Sequence, residues 1–158
     1  MIKPEEALVA LLLRRGLKLA TAESCTGGLI AKRLTDVPGA SAVYLGGVVS
    51  YANEVKENVL GVSGGDLAAL GAVSRTVSEQ MARGAAGITG ADIAVSTTGI
   101  AGPGGGSAEK PVGLVYIAAS YGDICAATEN HFSGTRDEIR QKAADRAMSL
   151  AAELIEKY

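Results

Sequence analysis

The sequence has no tryptophan, a single phenylalanine, a single histidine and two cysteines in 158 residues. With aromatics at 4 % and apolar residues at 47 % of the chain, a core has to be assembled from closely packed Ala, Val, Leu and Ile. Cys25 and Cys125 lie far apart and without metal-type spacing, which argues against a disulfide framework and for a reducing cytoplasm. Charge of one sign is not in excess either. Fifteen basic against 17 acidic residues leave a net charge of −2, so neither a basic nucleic-acid footprint nor a polybasic membrane-binding face is expected. No apolar run is long enough to span a bilayer. The first apolar cluster, Ala7 to Leu13, follows Pro-Glu-Glu and ends in Arg14-Arg15-Gly16, which does not read as a secretion signal.

What is abundant is glycine, at 21 residues, well above the ~7 % of average usage and indicative of tight turns and backbone-lined loops. The length fits one domain over residues 1–158, large enough to bury roughly two-thirds of its unfolded surface. Pro4 to Arg15 reads as a helix with acidic first turn, basic last turn and Gly16 as its stop. An apolar strand from Leu17 to Ala20 enters a polar turn, Thr21 to Gly28, and a helix from Gly28 to Leu34 follows. Ala42 to Tyr51 reads as a buried strand in which Gly46-Gly47 marks a bulge or close approach. Asn53 is placed to cap a short helix that contains Lys56 and ends at Gly61. Another short helix runs from Ser63 to Gly71, and Thr76-Val77-Ser78-Glu79 has the pattern of a capping box for a helix to Ile88. Asp92 to Thr98 is a second buried strand. Val112 to Tyr121 and Ile124 to Phe132 form a strand pair around Gly122-Asp123, and Thr135 to Glu138 is a second capping box, for a helix to Lys157. This alternation predicts an α/β fold, a three-layer α/β/α domain with a mixed, mostly parallel sheet. Ligands are expected at the carboxyl ends of the Leu17 and Asp92 strands.

The densest chemistry lies in the first polar turn, Glu23-Ser24-Cys25-Thr26-Gly27-Gly28, which carries more polar groups than a helix cap requires. Ser24 and Cys25 are both candidate nucleophiles, and each needs a base or a lowered pKa. His131 and Lys56 are the candidate bases. Lys56 in a first helical turn, if partly desolvated, becomes a neutral amine able to accept the Ser24 proton, with Tyr51 just before it to orient or relay. The Gly99–Gly106 loop lacks the Gly-Lys-Ser/Thr of a P-loop and contains no GxGxxG. Its run of backbone N–H groups fits an anion nest or part of an oxyanion hole, or simply a flexible surface loop. Arg136 could add a charged fork for phosphate.

Five motifs in order, Thr21 to Gly28, Tyr51 to Lys56, Thr98 to Pro103, Glu109 to Gly113, and Phe132-Ser133-Gly134 before Arg136, closely resemble the CinA carboxy-terminal domain family over essentially the whole chain. Members of that family include nicotinamide mononucleotide deamidases. The resemblance implies hydrolysis of the nicotinamide mononucleotide carboxamide to nicotinic acid mononucleotide and ammonia, without metal or cofactor. Ser24 is then the nucleophile, Lys56 its base and Tyr51 their neighbour. Glu23, Cys25, Thr26, Gly27, Thr98, Gly99, Ile100, Ala101, Gly102 and Arg136 would surround the substrate. The family also occurs fused behind a molybdopterin-binding-like domain, and this chain looks like the stand-alone form. Ala52 and Gly104 depart from the residues frequent in the family without removing a catalytic group. A non-catalytic nucleotide-binding module and an amidase using Cys25 are the alternatives. Apolar, Ala-rich helices point to a homo-oligomer.

Overall fold

Helix α1 (Pro4–Arg15) carries Glu5 and Glu6 in its first turn, Arg14 and Arg15 in its last, and Gly16 at a φ of 65° as its left-handed stop. That charge order complements the helix dipole. In the computed structural model, which describes residues 1–158, the chain continues through β1 (Leu19–Glu23), α2 (Leu29–Thr35), a 3-10 turn (Ala40–Ala42) and β2 (Tyr44–Val49). It then forms α3 (Asn53–Asn58), α4 (Gly64–Leu70), α5 (Arg75–Thr89), β3 (Ile93–Gly99), the hairpin of β4 (Leu114–Tyr121) and β5 (Ile124–His131), and α6 (Arg136–Lys157).

The strands make one mixed sheet in the order β2-β1-β3-β4-β5. β1 is parallel to both its neighbours, and β4 is antiparallel to both of its own. Four strands therefore share a direction and β4 alone opposes them. Side chains alternate between faces along each strand, and the two faces differ in size. Leu19, Ile93, Val95, Val115 and Ile117 pack under α1, α2 and α6. The opposite face presents Ala20, Ala22 and Ala94 to Val77, Met81 and Ala85 of α5, with Leu60, Val62 and Leu67 beside them. Small residues on that face let α5 sit close to the sheet, which is how an interior with few aromatics reaches native density. The result is the expected α/β/α sandwich. On the outer layer, Arg33 of α2 joins Glu5 of α1 at 2.7 Å and Asp145 of α6 at 2.6 Å.

Four local expectations change. β2, expected to be buried, is an edge strand in which half-buried and exposed residues alternate, Leu45 and Val49 among the exposed. β1 runs on to Glu23 instead of turning at Thr21, because its polar side chains find partners inside the fold. The Thr21 hydroxyl lies 2.6 Å from the Tyr44 phenol, and the Glu23 carboxylate is bound as described below. The cap of α3 is Ala52, with Asn53 already inside a helix that stops at Asn58. The cap of α5 is Ser74, whose hydroxyl accepts from Val77 N–H, so Thr76 lies within the first turn. The close approach at the glycine pair is real: a Cβ on Gly47 would stand 2.0 Å from Thr21 Oγ1, and the β1–β2 register shifts between Leu19 and Ala20.

Candidate active site

Ser24 is the first residue past β1, and the strand end is tied on both sides. Ser24 N–H donates to the Thr97 carbonyl on β3 at 3.0 Å, while Ser50 N–H, just past β2, donates to the Glu23 carbonyl at 2.8 Å. The chain after Ser50 turns through Tyr51 into α3, and this returns Lys56 to Ser24. Lys56 is 1 % exposed. Its Nζ lies 3.0 Å from Ser24 Oγ and donates to the carbonyls of Ser50 at 2.7 Å and Tyr51 at 3.2 Å. Burial lowers the Lys56 ammonium pKa from the ordinary lysine value, since desolvation disfavours the charged form. Lys56 is the fourth residue of a six-residue helix, so burial, not the first-turn dipole, is the physical cause. A neutral amine that gives its two N–H bonds to the two carbonyls turns its lone pair toward the serine hydroxyl. That is the arrangement of a general base beside a nucleophile.

Ser24 and Lys56 open onto a cleft of about 280 Å³ lined also by Cys25, Tyr51, Asn53, Ala72, Val73, Thr98 to Gly102, Gly104, Gly105 and Arg136. It sits where expected, at the carboxyl ends of β1 and β3. One wall is main chain. The amides of Gly104, Gly105 and Gly106 take no backbone acceptor, and the loop turns at positive φ at Gly102 and Gly105, a conformation glycine adopts without strain. Arg136 ties α6 to this loop through Nη1 and the Gly102 carbonyl, 2.8 Å apart. Thr98 donates its hydroxyl to the Ala72 carbonyl at 2.9 Å, which joins the loop before α5 to the cleft floor.

The other sequence candidates divide. Tyr51 lines the cleft and is 65 % exposed, and what touches Lys56 is its carbonyl. Cys25 lines the cleft, yet burial pushes its thiol pKa up to about 11, the opposite of an activated thiolate. His131 lies on β5 at the far edge of the sheet, 3.3 Å from Glu129, and does not line the cleft. Glu23, Thr26 and Gly27 are also absent from the cleft wall. Glu23 and Thr26 are buried; the Glu23 carboxylate accepts from Ile30 N–H, Ala31 N–H and Thr26 Oγ1 at 2.8, 3.1 and 2.7 Å. Thr26 in turn meets Thr97 Oγ1 at 2.7 Å. This network caps α2 from inside and fixes the loop that carries Ser24. Sequence reading missed Asn53 and Val73 in the wall and Arg140 behind it, the last of which shares a helix face with Arg136 one turn earlier. No group of three or more His, Cys, Asp or Glu residues is arranged to hold a metal ion, and no helix is long and apolar enough to cross a membrane.

A family profile described as CinA C-terminal domain matches residues 2–155. The CinA-like protein of Geobacter sulfurreducens is 52 % identical over 144 residues, covering 91 % of this chain and 35 % of that protein. The chain spans little more than a third of the length of the curated relatives it matches. Among solved structures, the competence/damage inducible protein CihA from Agrobacterium tumefaciens superposes with a TM-score of 0.93 at 44 % identity, over 96 % of this chain and 93 % of that one. The competence-damaged protein (CinA) superfamily protein from Klebsiella pneumoniae gives 0.94 at 34 % identity, over 98 % and 97 %.

Proposed function

The chain belongs to the CinA C-terminal domain family, and from that premise we propose that it is an amidohydrolase cleaving the carboxamide of nicotinamide mononucleotide, with Ser24 as nucleophile and Lys56 as base. The observation that carries this reading is the buried Lys56 Nζ at 3.0 Å from Ser24 Oγ, anchored by two carbonyls and depressed in pKa. Neutral Lys56 takes the Ser24 proton as Oγ attacks the carboxamide carbon. The tetrahedral oxyanion meets the Cys25 N–H, which has no backbone acceptor. The protonated lysine then returns the proton to the departing ammonia. Water, deprotonated by the same amine, releases nicotinic acid mononucleotide from the acyl-serine. The 5′-phosphate is read by the Gly104–Gly106 amides and Arg136. The exposed Tyr51 ring offers a face to the pyridinium cation at the mouth.

Cys25 does not compete in this scheme. A thiol held near 11 contributes little thiolate at neutral pH.

Ammonia release from nicotinamide mononucleotide by the wild type and by Ser24→Ala tests the reading. Release by the wild type and none by the variant is expected. Equal release from both would remove Ser24 from the chemistry. Thermal stabilisation by the nucleotide without ammonia from either would leave a binding module instead.

A further inference from the structure

Arg140 reaches from α6 to the loop after Ser24. Its Nε donates to the Cys25 carbonyl at 3.2 Å and its Nη2 to the Thr26 carbonyl at 2.9 Å. A peptide group is planar and trans, so the carbonyl of one residue and the N–H of the next point in opposite directions. Holding the Cys25 carbonyl on the α6 side therefore turns Thr26 N–H away from α6. The Ser24 carbonyl, which accepts from Gly27 N–H at 3.1 Å, sets the Cys25 N–H in the same manner. Cys25 and Thr26 N–H are the two amides of the Ser24–Gly27 turn that find no backbone acceptor, although Thr26 is fully buried and Cys25 is 7 % exposed. Buried N–H groups are seldom left open. Of the two, Cys25 lines the cleft, and an open amide directly after the nucleophile is suited to charge that forms only during reaction.

The turn is also shaped around the guanidinium. A Cβ on Gly27 would stand 3.1 Å from Arg140 Nη2, at a φ of +57°, so a bare Cα is what lets Arg140 reach both carbonyls. No acidic side chain bonds Arg140; its hydrogen bonds go to the two carbonyls, where its charge polarises the peptide groups and strengthens their N–H donors.

We propose that Arg140 is a positioning residue that, by fixing the Ser24–Gly27 turn, holds the Cys25 N–H, the open amide that lines the cleft, as the oxyanion site for acyl transfer at Ser24. This rests on Ser24 being the nucleophile, and it requires neither the pyridine nucleotide as substrate nor any contact between Arg140 and substrate.

The test uses p-nitrophenyl acetate, whose acyl carbon forms a bond to Ser24 Oγ as p-nitrophenolate departs and the serine proton passes to Lys56. Ester acylation and ammonia release from nicotinamide mononucleotide are followed in the wild type, Ser24→Ala, Arg140→Met and Arg140→Lys, each with a melting curve. Arg140→Met is expected to slow Ser24-dependent acylation by about 10²-fold, the scale of a lost oxyanion donor. Arg140→Lys slows it less, because an ammonium lacks the planar fork that spans both carbonyls. The pH midpoint of the rate, set by Lys56, stays in place, and nucleotide binding is unchanged. Wild-type acylation by folded Arg140→Met overturns the proposal; if that variant does not fold, wild-type acylation by Arg140→Lys does so. A moved pH midpoint also overturns it, by transferring the effect to Lys56, as does absence of Ser24-dependent acylation in the wild type. Acylation that responds to Arg140 without ammonia release would retire the substrate assignment and sustain the role of Arg140.

Discussion

Lys56 and Cys25 face the same cleft, and burial favours the uncharged form of both, lowering the lysine pKa and raising that of the thiol. For the amine this exposes a lone pair; for the thiol it withholds the nucleophile. Activity should accordingly rise with pH through the depressed pKa of Lys56 and then level off. Cys25→Ala should keep most of its turnover, while Lys56→Met should lose it but still be stabilised by the nucleotide, as read by paired ammonia assays and melting curves. The same shift is linked to stability. Because the folded-state pKa lies below the unfolded one, the unfolded chain binds the extra proton between the two values, and stability increases with pH across that window. Denaturant titrations from neutral pH toward about 10, the ordinary lysine range, should show the wild type gaining on Lys56→Met. A constant difference between them would mean that Lys56 is not desolvated.

Helix α5 contains two glycines in different surroundings. An added Cβ at Gly87 meets nothing within 4 Å, whereas at Gly84 it would lie 2.0 Å from the Leu60 carbonyl. Gly→Ala within a helix ordinarily stabilises by up to about 1 kcal/mol, and Gly87→Ala should do so. Gly84→Ala should destabilise by about 1–3 kcal/mol, the scale of overpacking, because α5 can no longer lie against the segment that joins α3 to α4. Urea midpoints of the two variants check the opposite signs. Element existence was legible in the chain because periodicity and punctuation agreed: Pro4 and Gly16 bound α1, Gly122-Asp123 turns the hairpin, and Thr135 with Glu138 caps α6. The caps of α3 and α5 were misplaced: at α5, Ser74, Thr76 and Ser78 stand close together and tertiary packing chooses among them, while α3 starts after Ala52 with no side-chain cap. The strand order was not legible. Pairing β1 between β2 and β3 depends on contacts across distant residues, which local pattern does not encode.

At the scale of the whole molecule, Ser24 and Lys56 were readable as a pair because side-chain chemistry identified them once the motif order was recognised. The carbonyls of Ser50 and Tyr51 were not, since every residue carries the same backbone groups and only the fold aims them. Arg140 was hidden for a related reason, being one of several basic residues on α6 with no local mark. The Arg33 junction shows how the outer layer is held away from the cleft. Removing Arg33 leaves the Glu5 carboxylate, 10 % exposed at its side chain, without its cation. Arg33→Met should then cost about 3 kcal/mol, a fall of roughly 6–12 °C in melting temperature for a chain of this size. The turnover number measured well below that temperature should be unchanged. A large loss of turnover would mean that the α1–α2–α6 layer also sets the geometry at Ser24.

The glycine-loop wall has a consequence for how readily this scaffold can change its taste. On the proposed reading an anionic group is held by main-chain amides, those of Gly104 and Gly105 lining the cleft; substitution then offers selection few handles, and the grip would be inherited with the fold. Substitution has more purchase at Asn53, Val73 and Ile100, which line the cleft with side chains outside the Ser24–Lys56 pair. Diversifying those three positions should yield variants that accept other amides on the same phosphate handle while the reacting pair keeps its pH profile, so that substrate choice drifts independently of the chemistry.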